Sequence, residues 1–209
     1  MVVFLAGGCA SVPESEVSNN QIASEITAVP SRQLILDALG EPYTEEEQVR
    51  IRQRFVSIWA KMDAGETSAS RAGLEALQSD YPHFSGVYTN LALLAHKEGD
   101  LAQAEAYLKK ALHLNPKSED ALVLRGLVLK DQGKLAEAEA HLAGALSLLP
   151  NSKPICLNLG ILQELYLGKQ HEALLNYQRY QEMVPTDKNV EGWIIDLSRR
   201  LPQQQGNRL

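Results

Sequence analysis

The chain has 209 residues, 44% of them hydrophobic and 6% aromatic, and a net charge of −6. That length allows one or two globular domains with a substantial core. The acidic balance argues against a nucleic-acid groove, because releasing phosphate counterions needs clustered Lys and Arg.

The chain opens Met1-Val2-Val3-Phe4-Leu5-Ala6-Gly7-Gly8-Cys9-Ala10-Ser11, an apolar run that passes into small residues and then a cysteine. This resembles the end of a bacterial lipoprotein signal peptide, and the resemblance implies that residues 1–9 are a truncated signal whose Cys9 carries the lipid. Three features depart from the pattern: no Lys or Arg precedes Cys9, only Val2 to Ala6 are apolar, and Ala6 stands where this motif usually has Leu. The first two are what a start internal to a longer reading frame would leave. The other reading is an incidental apolar terminus of a cytoplasmic protein. Several acyl chains would hold stably to a membrane, whereas one alone binds only marginally, at about 0.8 kcal/mol per buried methylene. No other stretch is long and apolar enough to suggest a membrane span.

Residues 10–31 are rich in Ser, Glu and Asn, and predict a flexible linker with an r.m.s. span of about 25 Å. Residues 32–44 then predict a short helix, Arg32 to Leu39, stopped by Gly40-Glu41-Pro42 and able to cap the first repeat.

From residue 45 the chain repeats itself. Gly99 to Pro116 reads GDLAQAEAYLKKALHLNP, and Gly133 to Pro150 reads GKLAEAEAHLAGALSLLP. Glycines at 65, 99, 133 and 168 and prolines at 82, 116, 150 and 185 both step by 34, 34 and 35 residues. Thr44-Glu45-Glu46-Glu47 is a capping-box sequence that predicts the first helix start. Leu and Ala dominate the central units at helical spacing, which favours paired helices.

These residues match the tetratricopeptide repeat, which places small residues where two helices touch, glycine in the turn and proline after the second helix. The resemblance covers about two thirds of the chain. It implies an all-α, right-handed superhelical solenoid of four helix-turn-helix units within 45–186, at about 51–82, 85–116, 119–150 and 153–185. Ala104, Ala138 and Ala173 hold the close-contact positions, with Leu108, Leu142 and Tyr177 filling the groove between helices. The first unit departs most, with Ser57-Ile58 for the usual Leu-Gly and Ser70 for the usual Ala. The fourth has one extra residue before Gly168, which predicts a local helix extension or bulge. Residues 187–201 predict a capping helix, with Val190, Trp193, Ile194 and Leu197 on one face, and 202–209 a frayed tail.

Chemistry is hard to find. The histidines at 83, 96, 113, 141 and 171 lack the spacing of a metal site. No nucleophile elbow, P-loop or dinucleotide fingerprint occurs, so no enzyme, metal or cofactor is expected. Cys156 lies on an apolar helical face and reads as a small buried hydrophobe.

What remains is surface. The resemblance implies a concave groove lined by the first helix of each unit. By register its residues are Thr89, Asn90, Leu93, His96 and Lys97 in the second unit; Val123, Leu124, Leu127, Lys130 and Asp131 in the third; and Leu157, Asn158, Ile161 and Glu164 in the fourth. Asn90 and Asn158 share one position, where an amide can pair with a peptide backbone, although asparagine is also ordinary there in this family. The family's basic carboxylate clamp is missing, since Leu124 stands where it wants Arg. The apolar members suit an amphipathic helix or apolar strand, unless neighbouring helices bury them.

The whole reads as a non-enzymatic scaffold, lipid-anchored to the outer membrane and facing the periplasm, that binds a protein of an envelope machine. Ala10-Ser11 after the cysteine lacks the Asp that signals inner-membrane retention in enterobacteria-like lipoproteins. The lipidated-repeat combination resembles the pilotin lipoproteins of type IV pilus secretins and the repeat lipoproteins of TonB-type systems. The alternative is a cytoplasmic adaptor or co-chaperone without lipid.

Overall fold

A computed structural model of the chain describes residues 43–201. The expected signal with Cys9, the linker, the short helix Arg32 to Leu39 and the tail after residue 201 lie outside them.

The described residues form helices joined by short turns: α1 Glu45–Asp63, α2 Thr67–Asp80, α3 Ser85–Lys97, α4 Leu101–Leu114, α5 Glu119–Asp131, α6 Leu135–Leu148, α7 Lys153–Ile161, α8 Gln170–Met183 and α9 Lys188–Arg200. Consecutive helices pack as hairpins, the hairpins stack in a superhelical array, and α9 closes the stack against α8.

Local signals set each boundary. Thr44 and Glu47 make the expected capping box, with Thr44 N donating to Glu47 Oε2 at 2.8 Å and Glu47 N to Thr44 Oγ1 at 3.2 Å. Each later unit restarts two residues after its proline. Ser118 caps α5, Ser152 caps α7 and Asp187 caps α9. α3 differs, because Phe84 stands at its N-cap and packs on Phe55 with ring centroids 5.7 Å apart. There apolar contact replaces the hydrogen-bonding cap.

Within the units, Gly65, Gly99, Gly133 and Gly168 all have φ between 65° and 82°, a region that costs other residues strain. In the first three turns the residue after the glycine bonds back five positions, as in Glu66 N to Lys61 O, Asp100 N to Ala95 O and Lys134 N to Leu129 O, each 2.9 Å. In the fourth, Lys169 N reaches back six, to Gln163 O at 2.8 Å. The extra residue is absorbed in a π-helical segment, Leu162–Tyr166, that continues α7. The bulge read from the sequence is therefore present.

Small residues let each pair close. Ala104, Ala138 and Ala173 are fully buried, as are Leu108 and Tyr177, and Leu142 nearly so. Each such Leu contributes roughly 2 kcal/mol by leaving water. On α9, Val190 and Leu197 are buried, and Trp193 lies 5.5 Å from the Tyr177 ring. The terminal hairpin's apolar side is thus sealed.

Candidate functional site

The first helices α3, α5 and α7 lie side by side, α3 against α5 and α5 against α7. Their shared face carries the groove positions, which divide into two chemically distinct halves.

The half toward the helix N-termini is apolar and dry. Thr89, Asn90, Leu93 and Val123 are 0% exposed, and Leu124, Leu127, Asn158 and Ile161 are also buried; Leu157 is half-buried. Both asparagines make the same local bond, Nδ2 donating to the carbonyl one turn back: Asn90 to Gly86 O at 2.7 Å and Asn158 to Pro154 O at 2.8 Å. Among the described residues, Asn90 Oδ1 is buried without a hydrogen-bond partner. An unanswered buried acceptor costs about 1–3 kcal/mol, which the apolar packing around Asn90 offsets.

The half toward the C-termini is polar. Asp131 accepts from His96 Nε2 at 2.7 Å and from Lys130 Nζ at 3.0 Å. Burial would raise the Asp131 pKa, but these two partners outweigh it and hold the carboxyl below its usual range. Lys130 also sits over the Tyr166 ring, 5.3 Å from its centroid. His96, Lys130, Asp131 and Tyr166 thus form one cluster, in which Lys130 is already engaged.

Two predicted groove residues point elsewhere. Lys97 lines a cleft of about 90 Å³ toward the first unit, beside Met62 and Thr67. The Glu164 side chain is only 5% exposed and is claimed from inside the array: Tyr177 Oη donates to its Oε2 at 3.0 Å, and Arg200 Nη2 to its Oε1 at 2.6 Å. That pairing locks α9 to the end of the groove. Burial, with Glu164 as acceptor, pushes the Tyr177 hydroxyl pKa far up, so it remains a donor.

Sequence reasoning missed Tyr166, although the extra residue before Gly168 was the available signal. It also missed a cleft of about 350 Å³ outside this face, lined by Leu112, Leu122, Arg125, His141 and Leu148 among others. Arg125 holds the unit position that Leu91 and Leu159 fill elsewhere, which was legible by register. His141 Nε2 donates to Leu122 O at 2.9 Å, so its Nδ1 accepts from Arg125 at 3.3 Å. Burial lowers the His141 pKa and keeps this ring neutral. Among the described residues, no group of three or more His, Cys, Asp or Glu is placed to hold a metal, and no helix is long and apolar enough to cross a membrane.

Two tetratricopeptide-repeat family models match the chain, over residues 57–119 and 95–153. A curated relative, a probable biofilm formation methyltransferase, WspC, of Pseudomonas putida, is 40% identical over 61 residues; the match takes in 29% of this chain but only 14% of the relative. Among solved structures, that of Pseudomonas aeruginosa pilF superposes with a TM-score of 0.62 at 21% identity, covering 72% of this chain and 69% of that one. A thermophilic repeat protein of Thermus thermophilus gives 0.60 at 21% identity, over 88% and 94% of the two chains. The first repeat domain of Spaghetti (RPAP3), bound to the HSP90 peptide SRMEEVD, gives 0.50 at 20% identity, over 55% and 90%. At these identities the structural likenesses speak to the fold. Residues 57–153 of this chain match tetratricopeptide-repeat models, and the described helices on either side continue the same hairpin stack.

Proposed function

We propose that this protein is a non-enzymatic scaffold whose α3–α5–α7 face binds a segment of another protein. The observation that carries the reading is that the first helices α3, α5 and α7 lie side by side and share one face, on which half-buried Leu157 and exposed Asp131 are open to a partner. An acidic peptide like the one in the Spaghetti structure fits poorly here, because Leu124 is apolar and Lys130 is committed to Asp131 and Tyr166. The partner is an envelope protein, and the scaffold reaches it from the outer membrane through a lipid on Cys9 and the linker over 10–31. Secretin assembly for type IV pili, or a TonB-type system, is the setting that the lipidated-repeat resemblance favours. The pilF superposition supports that setting at the level of fold.

The test is expression with native upstream DNA in a host that processes lipoproteins, with acyl labelling and membrane fractionation of wild type beside Cys9→Ala. Label and outer-membrane residence in wild type, both lost in the variant, are expected. An unlabelled, soluble wild type would overturn the anchor and send the partner search to cytoplasmic complexes.

A further inference from the structure

Outside the α3–α5–α7 face, the junctions between units are bridged differently. Between the first and second units, Tyr88 Oη donates to Pro82 O at 2.9 Å, and Lys110 Nζ lies 5.9 Å from the centre of the Tyr88 ring. Between the third and fourth, Arg179, at the position of Lys110 once the extra residue of the fourth unit is counted, donates from Nη2 to Pro150 O at 2.6 Å. In the third unit the positions of Tyr88 and Lys110 are held by Leu122 and Gly144, and neither side chain can make such a bond. A Cβ added at Gly144 would meet nothing within 4 Å. The junction between the second and third units is therefore left open as the cleft of about 350 Å³, and Pro116, Ala140, Gly144 and Leu148 in its lining are exposed.

In place of a bridge the cleft holds Arg125. Among the described residues, its hydrogen bond runs to a neutral imidazole rather than to a carboxylate, and its Nε is buried without a partner. A half-buried guanidinium with donors to spare is best answered by a carboxylate, which takes two of its N–H groups side by side. We propose that this cleft is a second binding site, taking a segment of another protein that sets a carboxylate against Arg125 and a large apolar side chain against Leu112, Leu122 and Leu148.

Charge selects the ligand. Burial keeps His141 neutral, so among the described residues the lining supplies one cation, which matches a single carboxylate and not the roughly two charges of a phosphate. The rest of the lining is apolar, and Leu148, 42% exposed, is surface that an apolar side chain would cover. Shape selects a protein segment over a small acid. Small-molecule sites bury about 70–90% of their ligand, whereas this trough is open along its exposed rim and suits side chains projected from a chain that continues past it. Leu122 and Arg125, three residues apart, share a side of α5 turned away from Val123, Leu124 and Leu127. The cleft and the α3–α5–α7 face can thus be occupied together, and neither assignment depends on the other.

The test selects random dodecapeptides displayed on phage against the immobilised full chain, with Arg125→Leu protein in excess as soluble competitor. That variant restores the leucine of the neighbouring units, Leu91 and Leu159, so the fold should hold. Enriched sequences should place Asp or Glu beside a large apolar residue. A synthetic peptide of the leading sequence should shift the methyl resonances of Leu112, Leu122 and Leu148. It should bind at least tenfold more weakly to Arg125→Leu, to Gly144→Leu, which fills the cleft and leaves the arginine, and when its own acid is replaced by the amide. The amide peptide and Arg125→Leu together should lose little more than either alone, which a merely structural role of Arg125 would not produce. No enrichment, enriched sequences without an acid, or undiminished affinity for Gly144→Leu would each overturn the proposal. So would concentration-dependent shifts of the same methyls without peptide, which would make a second copy of the chain the occupant. Shifts at Leu93, Leu127 and Leu157 in place of the cleft leucines would overturn it too, and would assign the binding to the α3–α5–α7 face.

Discussion

The first and third repeats solve the same packing problem with opposite assignments. In the third, Gly126 on the first helix makes room for Leu142 on the second, and a Cβ at 126 would fall 2.6 Å from the Leu142 side chain. In the first, the first helix carries bulky Ile58 and the second supplies the gap, a Cβ on Gly73 falling 2.7 Å from Ile58. The polar bridges between units invert too. Glu105 of the second unit meets Lys134 and Gln132 of the third, and Glu139 meets Lys169 and Gln163 of the fourth; between the first and second units, Arg71 meets Glu98 and Gln103. The departures from the repeat pattern in the first unit are therefore compensated. What the fold conserves is the sum of volumes and charges across each contact, not the residue at each position.

Breaking the volume exchange should have the largest effect. Ile58→Ala empties a buried site and should cost about 3 kcal/mol, read by urea unfolding and by hydrogen exchange localised to α1 and α2. Gly73→Ala should cost about 1–2 kcal/mol in wild type but little in the Ile58→Ala background, and equal costs in both would show that the two do not share the space. Gly126→Ala should come next, at about 1–2 kcal/mol net of the helix propensity gained, with most of the loss relieved by shortening Leu142 to Ala.

The charged bridges sharpen the comparison with smaller effects. Hydrogen bonds from Lys109 and Gln132 hold the Glu105 carboxyl down at about 2 from its usual 4.5. A depressed carboxylate contributes stability that is fully present above pH 4.5 and is lost as pH falls through about 2. Wild type should lose its advantage over Glu105→Gln across that window, and a pH-independent difference would assign the effect to packing. Arg71→Glu sets like charges together at a half-buried site and should cost about 0.5–1 kcal/mol, restored when Glu98→Lys is added.

Much of this molecule is visible in its chain. The turn glycines, the proline-to-cap spacing, the capping box at Thr44 and the bulge before Gly168 are local signals acting within a few residues, and the structure carries each of them. The groove register placed Leu93, Leu124 and Ile161 on one wall. That wall's burial, the turning inward of Glu164 and the commitment of Lys130 to Asp131 and Tyr166 were not legible, because each depends on what another helix brings.

The sequence by itself determined the number of hairpins, their phase and the helix that caps them, since helix periodicity and turn chemistry are written within single units. Tertiary structure alone decided which large residue faces which gap, which charges are already paired and which oxygen is left without a donor. Those properties belong to contacts between units about 34 residues apart, where space and partners exist only once the array has closed.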